Sequence, residues 1–167
     1  GAACEANLAL LKAARSAGVK ISCDLNYRGK LWKWHSEKSG KELARECMAE
    51  VLPLVDLVIG NEEDAADVLD IHPAGTDVAV GELNIAGYEN VARQIVRQYD
   101  NVSRVAITLR ESITADHNNW GAMLLDVAED HVCFSPLDAT QQYSPFRIGH
   151  IVDRVGGGDS FAAGLLH

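Results

Sequence analysis

Basic residues are scarce in this sequence. Its 15 lysines and arginines are outnumbered by 24 aspartates and glutamates, so the formal net charge is −9. A protein that binds nucleic acid or an anionic membrane needs a basic face that releases counterions or meets lipid phosphates. The charge therefore disfavours both as partners. It still allows a phosphate-binding enzyme, because such a site depends on a few local donors.

Cysteines and long apolar runs are scarce too. The four cysteines lie far apart, with no C-x-x-C pair and no histidine at zinc-finger spacing; they are Cys4, Cys23, Cys47 and Cys133. This spacing suggests neither a metal knuckle nor a disulfide scaffold, and it predicts reduced thiols. No apolar run approaches the ~20 residues that span a bilayer, and the sequence contains no secretory signal. We expect a cytoplasmic protein.

Length and the 47% hydrophobic content suffice for one globular core. The sequence starts at Gly1 without a methionine and ends inside the first turns of a predicted helix. We therefore expect residues 1–167 to form one partial domain of a longer gene product, truncated at both ends. We also predict that the isolated fragment is unstable or prone to aggregation, because missing segments would leave sheet edges and apolar surface uncovered.

Helical and strand patterns alternate along the chain. Hydrophobic spacing predicts helices over 5–17, 62–69 and 85–99, and one from Ser36 or Ser39 to about Val51. Apolar segments predict strands over 19–25, 55–59 and 105–109, and an antiparallel pair over 120–127 and 131–135. Segment 71–84 lacks periodicity and is expected to be a surface excursion. A glycine run then opens a final helix.

This order predicts an α/β fold whose mostly parallel sheet is covered by helices on both faces. Ligands of such sheets bind beyond the carboxyl ends of the strands. Four segments should therefore share one edge of the sheet, namely 26–28, 61, 108–111 and 156–159. No internal repeat, low-complexity tract or interdomain linker interrupts the pattern.

The stretch 153–164 is the most informative about function. Gly156, Gly157 and Gly158 are followed by Asp159 and then by small and apolar helix residues. Glycines let backbone N–H groups crowd around an anion, and the start of a helix adds the positive end of its dipole. An acid there opposes a bound phosphate unless it takes the proton from an attacking hydroxyl, which makes Asp159 a candidate base. The alternative is a tight turn in which Asp159 caps the helix.

The same stretch resembles the C-terminal signature of the ribokinase-like (PfkB-type) carbohydrate kinases, D-x-x-G-A-G-D-x-F-x-x-G, with Gly157 in place of the usual alanine. A dinucleotide-binding G-x-G-x-x-G is not satisfied, because Phe161 stands where the third glycine is required. The resemblance implies a Rossmann-like three-layer α/β/α sandwich, an anion hole at the three glycines, Asp159 as base, and Asp153 as a ligand of the substrate hydroxyls. The alternative for Asp153 is a charge pair with Arg154.

Residues 24–32 resemble the D-x-N-x-R segment of those family members that phosphorylate 2-keto-3-deoxygluconate. In those kinases the arginine lies between the sugar acid and the nucleotide phosphates. The resemblance therefore assigns Arg28 to both substrates and Asn26 to ATP. The guanidinium of Arg28 can grip a carboxylate or a phosphate in two places. The alternative is a surface arginine paired with a nearby acid.

Residues 60–64 resemble the family's N-x-x-E element, which acts through water on magnesium and phosphate. The resemblance assigns Asn61, Glu63 and Asp64 to Mg²⁺ through water, and Asn61 also to ATP; Asp64 stands where the family has glutamate. Asparagine and carboxylate oxygens suit a hydrated Mg²⁺. The alternative, which can coexist, is Asn61 as a helix N-cap with acids in the first turn.

Residues 108–112 occupy the place where the family has T-x-G-x-x-G against the nucleotide, but the glycines are absent. The resemblance assigns Thr108, Arg110 and Glu111 to the ATP site. The alternative is an ordinary strand end.

The resemblance implies Mg²⁺-dependent transfer of the γ-phosphate of ATP to 2-keto-3-deoxygluconate, giving its 6-phosphate. The alternatives are a family kinase acting on fructose, ribose or a nucleoside, and a non-catalytic sugar- or nucleotide-sensing module. The expected partners are a small sugar acid and ATP, with no nucleic acid and no membrane. A homo-oligomer of the full-length protein stays open, since the lid that often forms dimers in this family lies outside the sequence. The fragment itself is expected to be inactive.

Overall fold

The computed structural model describes residues 2–72, 85–114, 116–153 and 155–167. The helices of this part are α1 Ala2–Ser16, α2 Gly40–Val51, α3 Glu62–Leu69, α4 Ile85–Gln98 and α5 Gly157–Leu166. The strands are β1 Ser22–Asp24, β2 Leu57–Gly60, β3 Arg104–Ser112, β4 Asn118–Asp126, β5 His131–Ser135 and β6 Phe146–Ile148. Short 3₁₀ turns occupy Gly29–Leu31 and Leu52–Leu54. None of the described helices is both long and apolar enough to cross a bilayer.

Local signals place the helices close to their predicted positions. Ser39, rather than Ser36, begins α2: its side chain accepts from the Glu42 N–H at 3.3 Å, and the Glu42 carboxylate accepts from the Ser39 N–H at 2.7 Å. This reciprocal capping box satisfies two backbone donors that the first helical turn leaves free. Most of the predicted surface excursion, 73–84, lies outside the described residues, and so does Arg154.

The sheet is mixed, with a parallel half and an antiparallel half. β1, β2 and β3 are parallel neighbours, whereas β4 runs antiparallel to β3 and carries β5 and β6 along its other edge. Asp24 stands opposite Ile59, and Gly60 opposite Ile107, so the carboxyl ends of β1, β2 and β3 meet at one edge. The predicted β4–β5 pair is confirmed. β6 was not predicted, because three residues are too few to establish a strand pattern.

Gly121 marks the point on β4 where one partner strand gives way to the other. Its neighbours on one side pair with β6 and those on the other side pair with β5. Tyr143 crosses this gap so closely that a Cβ at position 121 would overlap the tyrosine hydroxyl. The Tyr143 ring also packs against Phe134 of β5, with ring centroids 5.9 Å apart. Glycine at 121 therefore allows the close approach that fills the gap.

The core lies between the sheet and the helices packed against it. α4 contacts β3 and β4, and α2 packs on both α1 and α3. Large side chains such as Leu43, Ile95 and Leu109 are fully buried there. The β6 and α5 region differs, since Phe146 is 62% exposed, Val155 is 90% exposed, and no residue of α5 is fully buried. Burial is therefore concentrated in the half of the molecule that holds the parallel strands.

Asp56 joins several elements at the amino end of the sheet. It lies directly before β2, and its carboxylate accepts from the Ile21 N–H at 2.9 Å and from Lys20 Nζ at 2.9 Å, with Arg15 at 3.5 Å. Its backbone carbonyl accepts from the Ser103 N–H at 2.9 Å. Burial by itself raises the pKa of Asp56, but the donor and charge of these neighbours outweigh it and hold the pKa below the ordinary value.

The side chain of Asn101, at the same end of the sheet, is also fully hydrogen-bonded through its Nδ2. Its Nδ2 donates to the Leu52 carbonyl at 2.8 Å and to the Val55 carbonyl at 2.7 Å. These bonds tie the turn before β3 to the turn before β2.

Candidate functional site

A cleft with a volume of about 790 Å³ opens at the carboxyl ends of β1, β2 and β3. It is lined by most of the predicted site residues: Asn26, Arg28, Asn61, Glu63, Asp64, Thr108, Arg110, Asp153, Gly156, Gly157 and Gly158. The four segments expected at one edge of the sheet therefore all contribute to one cleft. This follows from parallel strands, whose carboxyl ends open on the same side.

The loop after β1 is held in place by α3. Asn26 takes a left-handed backbone with φ of 32°, which asparagine tolerates better than most residues. The following N–H, of Tyr27, donates to Asp64 Oδ1 at 2.9 Å. This bond connects the loop to the first turn of α3, and Arg28 lines the cleft just beyond it.

The tryptophans after this loop do not line the cleft. Trp32 stacks on Tyr27 with ring centroids 6.4 Å apart and packs against the core. Trp34 is 55% exposed. Both therefore belong to the packing and the surface of the loop rather than to the wall of the cleft.

Asn61 begins α3 and lines the cleft at the same time. Its Oδ1 accepts from the Asp64 N–H at 2.7 Å, which is the N-cap arrangement considered from the sequence. Asp64 in turn accepts from the Tyr27 N–H. The capping role is thus confirmed, and it fixes the position of both side chains at the edge of the cleft.

The acids of the cleft are crowded around Arg28. Burial, and then the neighbouring charge of Asp64, raise the pKa of Asp24; Asp159 adds to this, while the Asn26 N–H and Arg28 oppose it. Burial also raises the pKa of Asp64, against the lowering effect of the Tyr27 and Asn61 N–H groups and of Arg28. The charge of Glu63 adds to the raised pKa of Asp64. Neighbouring carboxylates with raised pKa values form a site suited to a cation or to proton transfer.

The glycine stretch forms the start of α5. Gly156 is the N-cap, in a left-handed conformation with φ of 81°, and its carbonyl accepts from the Ser160 N–H at 2.9 Å. The cap carries no side-chain hydrogen bond, so Asp159 is not the cap and lies in the first helical turn. This corrects the capping alternative for Asp159. Asp159 itself is exposed and outside the cleft lining, but its charge reaches Asp24, which lines the cleft.

Asp153 precedes this stretch and lines the cleft. Its carboxylate accepts from the Val155 N–H at 2.9 Å, which holds the turn before the glycines. The alternative pairing with Arg154 concerns a residue outside the described part of the chain.

The end of β3 brings two of the three residues predicted there to the cleft. Thr108 and Arg110 line the cleft, and Thr108 Oγ1 reaches the Gly60 carbonyl at 3.5 Å. Glu111 lies outside the cleft lining, and its carboxylate accepts from Asn119 Nδ2 at 2.8 Å. Successive residues of a strand face opposite sides, so a strand that turns Thr108 and Arg110 to the cleft turns Glu111 away. Glu111 therefore does not face this cleft, and its assignment to the ATP site stays a prediction.

The cleft fits a hydrated Mg²⁺ held through water. Within the described ranges, no three His, Cys, Asp or Glu side chains are grouped as direct metal ligands. Asn61 Oδ1 and one oxygen of Asp64 are engaged by backbone N–H groups, which leaves Glu63 exposed beside them at the edge of the cleft. Mg²⁺ commonly keeps several of its waters and is bound through few carboxylates. A nearby cation would also relieve the repulsion that Asp64 exerts on Asp24 and that Glu63 exerts on Asp64.

Several wall residues were not assigned from the sequence; they include Asp24, Asp67, Asn118, Trp120 and Phe146. Asp24 carried a signal, since it is an acid at the end of a predicted strand. Asn118 and Phe146 carried none, because strand pairing across the sheet brings them to the cleft. Asn118 is 3% exposed, and its Oδ1 has no hydrogen-bond partner among the described residues.

Comparison with solved structures finds close likenesses over nearly the whole chain. A 2-dehydro-3-deoxygluconokinase from Thermotoga maritima is 40% identical, with a TM-score of 0.72, over 93% of this chain and 40% of that one. A PfkB family carbohydrate kinase from Listeria grayi is 29% identical, with a TM-score of 0.74, over 98% of this chain and 42% of that one. The chain thus spans about two fifths of the length of these proteins.

More distant likenesses carry the fold alone. A fructokinase from Vibrio cholerae, solved with fructose, ADP and potassium ion, is 19% identical with a TM-score of 0.58, over 97% of this chain and 39% of that one. No protein-family model matches the sequence, and no curated protein matches it either. The mixed sheet flanked by helices agrees with the predicted α/β/α architecture, which is confirmed. The chain belongs to the ribokinase-like (PfkB-type) carbohydrate kinase family.

Proposed function

We propose that the full-length protein transfers the γ-phosphate of ATP to a hydroxyl of a small sugar acid, 2-keto-3-deoxygluconate, giving its 6-phosphate. One observation carries the proposal: the glycine-rich start of α5 and the Arg28 loop open onto the same cleft. The first offers backbone donors to a transferring phosphoryl group, and the second offers a fixed positive charge to a carboxylate or phosphate. The likeness to the Thermotoga maritima 2-dehydro-3-deoxygluconokinase supports the choice of substrate.

In this proposal Asp159 takes the proton of the attacking hydroxyl while the new O–P bond forms and the bond to the ADP oxygen breaks. The N–H groups of 156–158 hold the transferring group, and the left-handed Gly156 sets their direction. Arg28 neutralises charge between the sugar acid and the phosphates. Asp153 orients the substrate hydroxyls, and Thr108 with Arg110 contacts the nucleotide. Most of the rate enhancement comes from positioning and electrostatics.

Asn61, Glu63 and Asp64 would hold Mg²⁺ through water, and Asn26 with Asn61 would border the ATP phosphates. The ion supplies charge neutralisation on the phosphates when bound. The protein's own part is to fix these groups, and the bond from the Tyr27 N–H to Asp64 does so by joining the Arg28 loop to α3. We expect the protein to act in the cytoplasm as an enzyme whose substrates are a small sugar acid and ATP. We expect neither nucleic acid nor a membrane as a partner.

The second candidate is a family kinase for another hydroxyl substrate, since a fructokinase shares the fold. A sensing module that binds without turnover is a third. Asp159 favours an enzyme over a sensor, because a sensor has no use for a base beside an anion-binding loop.

The test is ATP-dependent phosphorylation by the full-length gene product across 2-keto-3-deoxygluconate, fructose, ribose and adenosine. Asp159→Asn should lower kcat by at least about 10³-fold, because the general base is removed. Asp100→Asn is the matched control, since Asp100 is an exposed acid at the opposite end of the sheet, and it should leave kcat unchanged.

Turnover of 2-keto-3-deoxygluconate alone, lost in Asp159→Asn and kept in Asp100→Asn, would support enzyme, substrate and base together. Turnover of another sugar would keep the mechanism and replace the substrate. Ligand binding without turnover of any compound would replace the kinase by a sensor.

A further inference from the structure

Arg28 lines the cleft without a partner for its side chain. Within the described part of the chain, its guanidinium has no hydrogen bond and no ion pair, and its charge acts on Asp24 and Asp64 only through space. A long side chain without such partners keeps several rotamers, so the place where it meets a ligand depends on how firmly its backbone is held. The residues that hold the backbone at position 28 therefore govern what Arg28 can bind.

Tyr27, the residue before Arg28, is held from two sides. Its N–H donates to Asp64 Oδ1 at 2.9 Å, which joins the backbone to α3. Its ring stacks on Trp32, with ring centroids 6.4 Å apart and an interplanar angle of 29°. Both rings are partly buried and pack against the core, so an aromatic contact closes the loop from 27 to 32. Arg28 therefore projects from a short segment that is fixed at both ends.

Gly40, the first residue of α2, lies against this pair of rings. A Cβ built at position 40 would lie 2.9 Å from Tyr27 Oη, 3.1 Å from the Trp32 carbonyl oxygen and 3.2 Å from Trp32 Cβ. The first of these distances is shorter than a Cβ contact allows, so a side chain at position 40 would displace the pair. The capping box of Ser39 holds the start of α2 in place. Tyr27, Trp32 and Gly40 together are called here the aromatic clamp.

We propose that Tyr27 is a positioning residue for the reaction: the aromatic clamp holds it so that the Arg28 guanidinium faces the carboxylate of the sugar acid. This inference rests on the proposed function, which makes that sugar acid the substrate. A bidentate grip on a carboxylate needs a fixed direction of approach. A shift of about 1 Å in such a group can cost about 100-fold in rate. Tyr27 acts through Arg28 and takes no proton itself.

Steady-state kinetics on the full-length gene product test the aromatic clamp. Tyr27→Leu should raise KM for 2-keto-3-deoxygluconate by about 10-fold and lower kcat much less, because the grip on the carboxylate is loosened while Asp159 keeps its place. Tyr27→Phe keeps the ring and its stacking on Trp32, so it should restore most of the loss. Trp34→Leu is the matched control, since Trp34 is an exposed aromatic residue that does not line the cleft, and it should leave KM unchanged.

A double-mutant cycle separates positioning from a general loss of structure. If Tyr27 acts only through Arg28, its replacement has nothing further to disturb once the guanidinium is gone. Tyr27→Leu should therefore change KM by less than about 2-fold when it is added to Arg28→Ala. Losses that multiply in the double variant would overturn the proposal.

Gly40→Ala tests the aromatic clamp without removing either ring, and it decides the question if Tyr27→Leu does not fold. Alanine is favoured over glycine in a helix, so α2 itself loses nothing, but the added Cβ displaces the Tyr27 and Trp32 side chains. KM for the sugar acid should rise in the same direction as in Tyr27→Leu, and thermal unfolding shows that the variant is folded. A folded Gly40→Ala that keeps the wild-type KM would overturn the proposal.

The inference and the proposed function fail in different ways. Calorimetry gives the affinity for 2-keto-3-deoxygluconate without any turnover. Affinity that falls in Tyr27→Leu only while Arg28 is present, with no phosphorylation of any sugar, would keep the positioning role and refute the kinase. Phosphorylation of the sugar acid with a KM that Tyr27→Leu leaves unchanged would keep the kinase and overturn the inference.

Discussion

The two ends of the sheet use the same residue types in opposite ways. At the amino end, Asp56 is surrounded by donors that hold its pKa below the ordinary value, and Asn101 donates two short bonds to backbone carbonyls. At the carboxyl end, burial and neighbouring carboxylates raise the pKa of Asp24 and Asp64. There Asn118 keeps a buried Oδ1 without a partner among the described residues.

The difference shows at which end of the sheet buried polar groups have hydrogen-bond partners and at which end some of them lack partners. Polar groups buried with partners stabilise a fold, whereas polar groups buried without them lower its stability. Charges that repel one another persist where a ligand or a reaction uses them. The amino end therefore stabilises the sheet, and the carboxyl end holds the candidate site. The following variants of the full-length protein test this division.

The largest effect on stability is expected from removing the interactions of Asp56 at the amino end of the sheet. Asp56→Ala should lower the free energy of unfolding by about 2–3 kcal/mol, because the buried Ile21 N–H loses its acceptor and Lys20 and Arg15 lose their partner. Urea titration at pH 7 measures the loss. Asp100→Ala, an exposed acid at the same end, should change stability by no more than about 0.5 kcal/mol. Equal losses of unfolding free energy in both variants would show that Asp56 has no special stabilising role.

A matched pair of asparagines comes next. Asn101→Leu should cost about 1–3 kcal/mol, because two carbonyls lose their donor. Asn118→Leu has similar volume and removes an unpartnered acceptor, so it should be neutral or raise stability by up to about 1 kcal/mol. Thermal unfolding of the two variants side by side gives the sign. A loss in Asn118→Leu as large as that in Asn101→Leu would contradict the comparison.

Acid titration should give the two ends opposite signs. The lowered pKa of Asp56 contributes stability that is present at neutral pH and is lost as pH falls below the ordinary value of 3.8 and through the lowered folded value. The raised pKa of Asp24 contributes stability that is present below 3.8 and is lost as pH rises through the raised folded value. Hence Asp56→Asn should be less stable than wild type at pH 7, and Asp24→Asn more stable by about 0.5–1 kcal/mol.

The difference for Asp24→Asn should shrink as the pH falls through the raised folded pKa towards 3.8, and the difference for Asp56→Asn should shrink as the pH falls from 3.8 through the lowered folded pKa. Unfolding free energies measured from about pH 7 down to about pH 3, across the ordinary aspartate pKa, test this. A difference for Asp24→Asn that keeps its size at low pH would show that repulsion is not its cause.

The smallest effect on stability is expected in the glycine stretch at 156–158. Gly157→Ala restores the family's residue, and its Cβ would meet only Trp120, at an ordinary 3.7 Å. Alanine favours the first turn of α5, so stability should rise by about 0.5–1 kcal/mol. Gly156→Ala should lower stability instead, because Gly156 has a φ of 81°. A loss of stability in Gly157→Ala would mean that the loop needs glycine at this position as well.

Local signals predicted the helices and most of the strands. Asn61 with its following acids located α3, and the glycine run located α5, because caps and glycines act through neighbouring backbone groups. Parallel-strand topology then predicted that Arg28 and Thr108 would share an edge, which the cleft confirms. These features need only short-range patterns and one rule of topology.

Features that depend on pairing across the sheet were beyond the sequence patterns. Phe146 reaches the cleft because β6 pairs with the first residues of β4, and no local pattern encodes that choice. The direction of the Glu111 side chain was not predicted either, because it depends on how far β3 continues and on which of its residues alternate toward the cleft. The strand was predicted to stop at Leu109 and runs to Ser112, so Glu111 became part of the ladder.

The close approach of Tyr143 to Gly121 makes the two positions a coupled pair. A larger residue at 121 is tolerable only if 143 becomes smaller, so among related sequences the identities at these positions should covary. The same coupling gives a direct engineering rule: a substitution introduced at one position can be repaired at the other. The short strand β6 and the wall of the cleft beside it therefore depend for their placement on a residue that bears no side chain.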